Sequence, residues 1–225
     1  MAEQYGMKPK KFTAAWWEYF WMYYKWHTII TIFAIIAVTS TIHGMLAAKK
    51  YDIHLAYAGP VSFSEKQQEE FGEMFSPYFE DTDKNGKKSL SFSVYHTSDP
   101  RLNPEYHMAV ITKLQTTVAD SKTYAFILSR EMAEYFSSDE EELCVFEPLE
   151  TWFEGEIPEN GIYSAHGKAY GIEVSSLEFF KDSDVDLSGH YLFIKALPPG
   201  KTDANAPKAY KDAKQMLNKI IKNTK

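Results

Sequence analysis

The residues best suited by type and spacing to do chemistry are those of DTDKNG (residues 81–86), where Asp81, Asp83 and Asn85 alternate ahead of Gly86. This is the opening half of a calcium loop, in which alternate oxygen ligands surround the ion and glycine makes the sharp turn. The closing half is missing, because the twelfth position, which must supply a bidentate carboxylate, is Phe92. An Asx and glycine turn between a helix and a strand accounts for the same residues, so no metal site is expected. The seven histidines are scattered, with no HExxH pair and no CxxC, and so offer no zinc-binding spacing; His96 and His107 are expected at the surface. The single cysteine, Cys144 in the apolar run LCVF, reads as a small buried hydrophobe and rules out an internal disulfide. Neither a GxSxG elbow, a P-loop nor a GxGxxG fingerprint occurs, and Glu154 with Glu156 reads as an acidic loop rather than an acid–base pair. These patterns point to a protein that is not an enzyme and takes no cofactor.

The elements that would position a binding site alternate. YDIHLAYAG (51–59) sets Ile53, Leu55 and Tyr57 on one face of a first strand, which ends at Gly59 and Pro60. Ser64 and Gln67 form a capping box ahead of Phe71, Met74, Phe75, Tyr78 and Phe79 at helical spacing, with Pro77 placed to kink or end that helix. SLSFSVY (89–95) alternates strictly, as a strand at the sheet edge should. Asn103 and Pro104 open a second helix striped by Val110, Ile111, Leu114 and Val118. TYAFIL (123–128) is apolar without alternation, which suits a central strand, and Ser129 can cap a short helix through Phe136. After the acidic run 139–142 and residues 143–146, GKAYGIEVSS and YLFIKAL supply two further strands. A last helix opens at Pro207, packs Tyr210, Ala213, Leu217 and Ile220 inward, and turns its lysines to solvent. The expected body is therefore one three-layer α/β domain (51–225) around a mainly parallel sheet.

In such a sheet, ligands bind beyond the carboxyl ends of the strands, where helix N-termini also point. The candidate ligand-binding residues are therefore Gly59, Tyr95, Asp99, Ser129, Arg130 and Tyr170. Arg130 could fork onto an anion; the competing reading is a helix-face arginine paired with Glu134. Aromatic side chains forming a concave wall there would indicate a solute, and a flat apolar patch a protein partner.

Ahead of this body, TIITIFAIIAVTSTIHGMLAA (28–48) has no formal charge and is long enough to cross a bilayer as a helix. It is preceded by an aromatic-rich segment (1–27) with four of the five tryptophans, Trp16, Trp17, Trp21 and Trp26, residues that favour the membrane interface. His43 lies in the last third of the run, where a neutral imidazole is tolerable, and Thr39, Ser40 and Thr41 can return their hydroxyls to the helix backbone. Four lysines precede the run and Lys49 and Lys50 follow it, so the positive-inside bias places the N-terminus in the cytoplasm. Through residue 50 the charge is +4, from six lysines and two acids; the total of −7 leaves −11 for the remainder. A basic anchor suits anionic lipid, and an acidic body argues against nucleic acid as a partner. A cleaved secretory signal is the competing reading, opposed by the long aromatic lead and by Leu46, which fits the small-residue cleavage pattern poorly.

The order of these pieces resembles the first lobe of type II extracytoplasmic solute-binding proteins, which deliver ligands to ATP-driven importers. The resemblance rests on YDIHLAYAG as opening strand, on KLQTTVADSKTYAFILSREMAEYF as helix, buried strand and following segment, on LCVFEPLETW, similar to the lobe-crossing loop, and on GKAYGIEV, similar to a strand that leads into a second lobe. Glu173 stands where that strand commonly has proline. Only residues 175–188 separate it from YLFIKAL, too few for a second lobe. The resemblance therefore implies a membrane-tethered single lobe: an extracytoplasmic, non-enzymatic recognition or accessory module at the cell membrane, with the bilayer, a membrane protein or importer, or a small molecule as partner. The alternatives are a substrate-binding subunit whose second lobe comes from another chain or a dimer, and a membrane-anchored enzyme.

Overall fold

The computed structural model describes residues 10–47, 50–82, 84–137, 144–158, 161–181 and 183–222. Asp83, Ala48 and the segment 138–143, which includes the acidic run, fall outside the described residues. The chain divides into two compact units, Met1–Lys49 and Lys50–Lys225.

The first unit is built on one helix, α1 (Ala14–Ala47), which runs without a break through both the aromatic segment and the apolar run. Thr28, Thr31 and Thr41 donate to the carbonyls of Tyr24, His27 and Ala37, so their hydroxyls are satisfied inside the helix. Rings stack along its first half, as Trp16 on Phe20 and Phe20 on Tyr24 do. It is the one helix among the described residues long and apolar enough to cross a membrane, and Ile30, Phe33 and Ile36 lie exposed along it.

The second unit holds a six-stranded sheet with the order β2-β1-β3-β6-β5-β4. Its elements are β1 (Ile53–Gly59), α2 (Glu65–Phe75), β2 (Leu90–His96), α3 (Pro104–Ala119), β3 (Ala125–Ser129), α4 (Arg130–Phe136), α5 (Leu149–Trp152), β4 (Ile162–Ala165), β5 (Lys168–Glu173), β6 (His190–Ile194) and α6 (Lys208–Lys222). The sheet is mixed, which corrects the expectation of a mainly parallel one. β1 pairs in parallel with β2 and β3, whereas β3 with β6, β6 with β5, and β5 with β4 are antiparallel. For β4 and β5 the cause is local: a tight turn at His166 and Gly167, both at positive φ, joins them and can only reverse the chain. Because β6 opposes both neighbours, β1, β2, β3 and β5 still point the same way.

Helices cover both faces, giving three layers. On one side Ile53, Leu55, Tyr57, Ile127 and Leu192 pack with residues of α2, α5 and α6; on the other, Ala56, Ala58, Phe126, Leu128 and Phe193 pack with α3 and α4. β1 alternates large and small residues, so the α3–α4 layer approaches the sheet over alanines. The capping box at Ser64 is formed. Pro77 sits in a 3₁₀ turn immediately after α2 and ends it. Asn103 caps α3 through the Tyr106 N–H. The first layer is rich in rings: Phe71 stacks on Phe92 at 4.9 Å and meets Phe63 edge-on at 5.5 Å, contacts that contribute about 0.5–1.5 kcal/mol each beyond area burial.

The linker between β5 and β6 completes this layer, since it buries Val174, Leu177, Phe180 and Leu187. Glu173 holds it: its carboxylate accepts from the Gly189 N–H and the Ser175 hydroxyl. At the opposite end of the sheet, the buried Asp52 carboxylate accepts from the backbone N–H groups of Thr82 and Ser89 and pins the start of β1 to the loop before β2. Lys195, 8 % exposed, donates to the Val118 and Asp120 carbonyls at the end of α3 and lies 4.4 Å from the Tyr124 ring centre. Burial brings its ammonium down to about 8, while the carbonyls at a helix C-terminus favour its charged form.

Candidate functional site

The carboxyl ends of β1, β2, β3 and β5 converge on one rim, where β6 begins, since Ser129 is paired with His190. Of the residues expected there, Gly59 and Ser129 lie on the rim and Asp99 and Arg130 follow it. Ser129 is the N-cap of α4 and accepts from the Met132 N–H at 3.4 Å. Arg130 donates from Nε to Glu134 at 3.1 Å, both side chains largely exposed, which is the helix-face pairing rather than an anion fork. Asp99 accepts from the Arg101 N–H at 2.8 Å within a local turn.

Two expected residues face inward. Tyr170 is mid-strand in β5 and 1 % exposed, because its position in the alternation points it beneath α3 and α4 rather than past the strand end. Tyr95 is 7 % exposed, its hydroxyl against Thr117 of α3. Among the described residues, therefore, no aromatic wall rises over the rim. Beside it opens a polar cleft of about 430 Å³ between Pro60, residues 97–101 and Glu131.

What fills the rim is a pair with no signature in the sequence. The Tyr57 Oη lies 3.0 Å from His190 Nε2, and the rings stack at 5.4 Å across 133 positions of chain. The Val61 N–H donates to Tyr57 Oη at 2.9 Å, and His190 Nδ1 lies 3.0 Å from the Ser188 carbonyl. A carbonyl only accepts, so Nδ1 carries the proton, Nε2 accepts, and Tyr57 donates to it. Gly59 is required for this closure, since a Cβ there would stand 2.5 Å from Tyr57 Oη and 2.6 Å from His190 Nε2. Burial lowers the imidazole below its ordinary 6.5 and raises the phenol, so both stay neutral at pH 7 and the network is complete.

Tyr57→Phe deprives His190 Nε2 and the Val61 N–H of a shared partner and is expected to destabilise the unit by about 1–3 kcal/mol, read by urea denaturation. The pH dependence has a definite sign. Below 6.5 the unfolded histidine binds a proton that the folded one resists, so stability falls as pH drops from 6.5 through the folded value and is fully present above 6.5. His190→Asn is expected to flatten that acid slope; an unchanged slope would contradict the buried neutral ring. A charge-neutral, fully bonded pair under a glycine closes the strand ends.

The half-calcium loop forms the Asx and glycine turn. Asp81 accepts from the Asn85 and Gly86 N–H groups at 3.2 and 2.7 Å, with Gly86 at φ 83°. His96, His107 and Cys144 are half-buried rather than fully exposed or fully buried as expected. Near Cys144 it is Phe146, bridged to Lys195, that enters the core.

A second concavity, unmarked by any motif, flanks the sheet edge. A cleft of about 510 Å³ runs between α2 and β2, lined by Tyr51, Glu65, Glu69, Gly72, Glu73 and Phe92 among others. Comparison of the chain with protein-family models, with curated proteins and with solved structures yields no match in any of the three.

Proposed function

We propose that the chain is a single-pass, membrane-anchored recognition or accessory module that is not an enzyme, with its N-terminus cytoplasmic and its α/β unit extracytoplasmic, working on a protein partner. The observation that carries this reading is the pairing of one long apolar helix with a separate, fully cored α/β unit. Lysines concentrated ahead of the apolar run support the orientation. The filled rim at Gly59, Tyr57 and His190 supports a protein over a solute, because a solute would need a cavity where those side chains stand. The likeness of its segments to a solute-binding lobe supports a setting beside an importer or another membrane protein.

Protease added to intact cells or spheroplasts is expected to digest the Lys50–Lys225 unit while leaving a cytoplasmic marker whole. Protection of that unit would reverse the orientation. A melting-temperature panel of the full chain in detergent with sugars and inorganic anions is expected to show no rise beyond about 2 °C, and a saturable rise with any of them would replace the protein-partner reading with solute binding.

A further inference from the structure

The two edges of the sheet differ. β4 is four residues long and carries a register irregularity at Tyr163 and Ser164, features that blunt an edge. β2 has seven residues in unbroken register with β1 and contains no proline, lysine or bulge. The Asp52 N–H donates to the Ser89 carbonyl and the Thr97 N–H to the Gly59 carbonyl, so odd-numbered residues of this segment turn their backbone groups toward β1. Leu90, Phe92, Val94 and His96 consequently turn their N–H and C=O groups outward. Within the described residues, β2 pairs with β1 alone, which leaves a row of donors and acceptors ready for another strand.

The wall beside this edge has a matching character. Glu65, Glu69 and Glu73 recur every four residues along one face of α2, all exposed and all lining the cleft. The helix's one lysine, Lys66, pairs with Glu70 and not with this row. Between the acids lies Gly72, also in the cleft wall, and a Cβ built on it would meet nothing within 4 Å. No packing inside the protein therefore calls for glycine in this helix interior, where it weakens the helix. A glycine there does keep the wall flat enough for another backbone to come close.

On the reading of this unit as a protein-recognition module, we propose that the cleft between α2 and β2 takes an extended, basic segment of a partner protein, which adds a seventh strand to the sheet. Its backbone pairs with the outward groups of β2, and alternate lysine or arginine side chains reach Glu65, Glu69 and Glu73. A second copy of this chain pairing edge to edge would bring two acidic α2 faces together, so charge selects a basic partner over self-association.

The test is a titration of the full chain in detergent with a fluorescently labelled peptide of alternating lysine and valine, eight residues long. Three comparison peptides accompany it: the same sequence with glutamate for lysine, the same with alternate backbone nitrogens methylated, and the methylated peptide of opposite register. Saturable binding of the basic peptide is expected. The glutamate peptide and at least one methylated peptide should bind tenfold or more weakly. Glu65→Gln, Glu69→Gln and Glu73→Gln together should weaken binding at least tenfold, with a lesser dependence on salt. Gly72→Leu should weaken it as much while leaving the melting temperature equal or higher, a combination that loss of folding cannot produce.

Absence of binding overturns the inference, as does binding indifferent to methylation in both registers or to the glutamine triple. So does a dimer of this chain that forms through β2 and takes no peptide. Because the titration is independent of topology, failure here with a protease-accessible body removes this partner chemistry alone and leaves the outward-facing module standing.

Discussion

A chain carrying Ile36→Arg and Val38→Arg is expected to be lost from the alkali-resistant membrane fraction. These positions lie at the centre of the 28–48 run, whose 21 residues would span about 31 Å as a helix, matching a hydrocarbon core of about 30 Å. Each arginine at mid-helix costs about 2.5–3.5 kcal/mol of insertion free energy and each lost isoleucine or valine about 0.3–0.6, so the pair shifts insertion by about 6–8 kcal/mol. Two arginines at Glu18 and Tyr23, in the aromatic belt, should leave the chain in the membrane, since cationic side chains reach the headgroups from there. The intact mass of the membrane-bound wild type decides between anchor and cleaved signal. An anchor leaves the full 25.9 kDa chain; a cleaved signal leaves a chain lacking the aromatic belt. Persistence of the central double variant in the membrane, or a shortened mass, would remove α1 as the anchor.

Much of the fold was legible because its determinants are local. The Ser64 and Gln67 box, the Asn103 and Pro104 start, the Pro77 stop and the edge character of residues 89–95 are each fixed by neighbours in sequence, and each is present. Strand direction was harder to read. β6 is as apolar as a parallel central strand, but burial on both faces produces that pattern in either direction. β4 escaped notice because four residues following Gly161 are too few to establish a period.

The candidate site was legible only as far as the rim. Gly59 and Ser129 could be placed from strand ends alone, but which side chains meet above them depends on partners far apart in sequence. Tyr57 reads as a core residue by alternation and His190 stands just ahead of the YLFIKAL strand; their pairing at 3.0 Å follows from the parallel register of β1 with β3 and the antiparallel register of β3 with β6. Tyr170 was misplaced for the same reason, since the direction of its side chain depends on register rather than on strand membership. The α2–β2 cleft lay between two elements that were each read correctly. Its acidic row and its free backbone edge become one feature only when α2 is laid beside β2.

Trp152→Ala is expected to be the most damaging single change in the α/β unit. Trp152 ends α5 at 1 % exposure and is the largest fully buried side chain. Emptying such a site costs about 3–5 kcal/mol, a large share of the about 5–15 kcal/mol that holds a typical domain folded. At about 2–4 °C per kcal/mol for a unit of this size, the melting temperature should fall by roughly 6–20 °C, measured by far-ultraviolet circular dichroism. The upper part of that range is favoured by Asn218 of α6. Its Nδ2 donates to the Trp152 carbonyl at 3.0 Å, and its Oδ1 accepts from the Glu154 N–H at 2.9 Å. These bonds hold the backbone on both sides of the ring, so the segment cannot collapse into the hole, and residual cavity volume is what raises the cost. Trp152→Phe should be far milder, about 1–2 kcal/mol. The indole Nε1 is buried with no hydrogen-bond partner among the described residues, so phenylalanine forfeits packing but no bond. A loss above about 3 kcal/mol for phenylalanine would mean that the indole N–H is bonded after all, and a melting point within 2 °C of wild type for alanine would mean that α5 does not close the core.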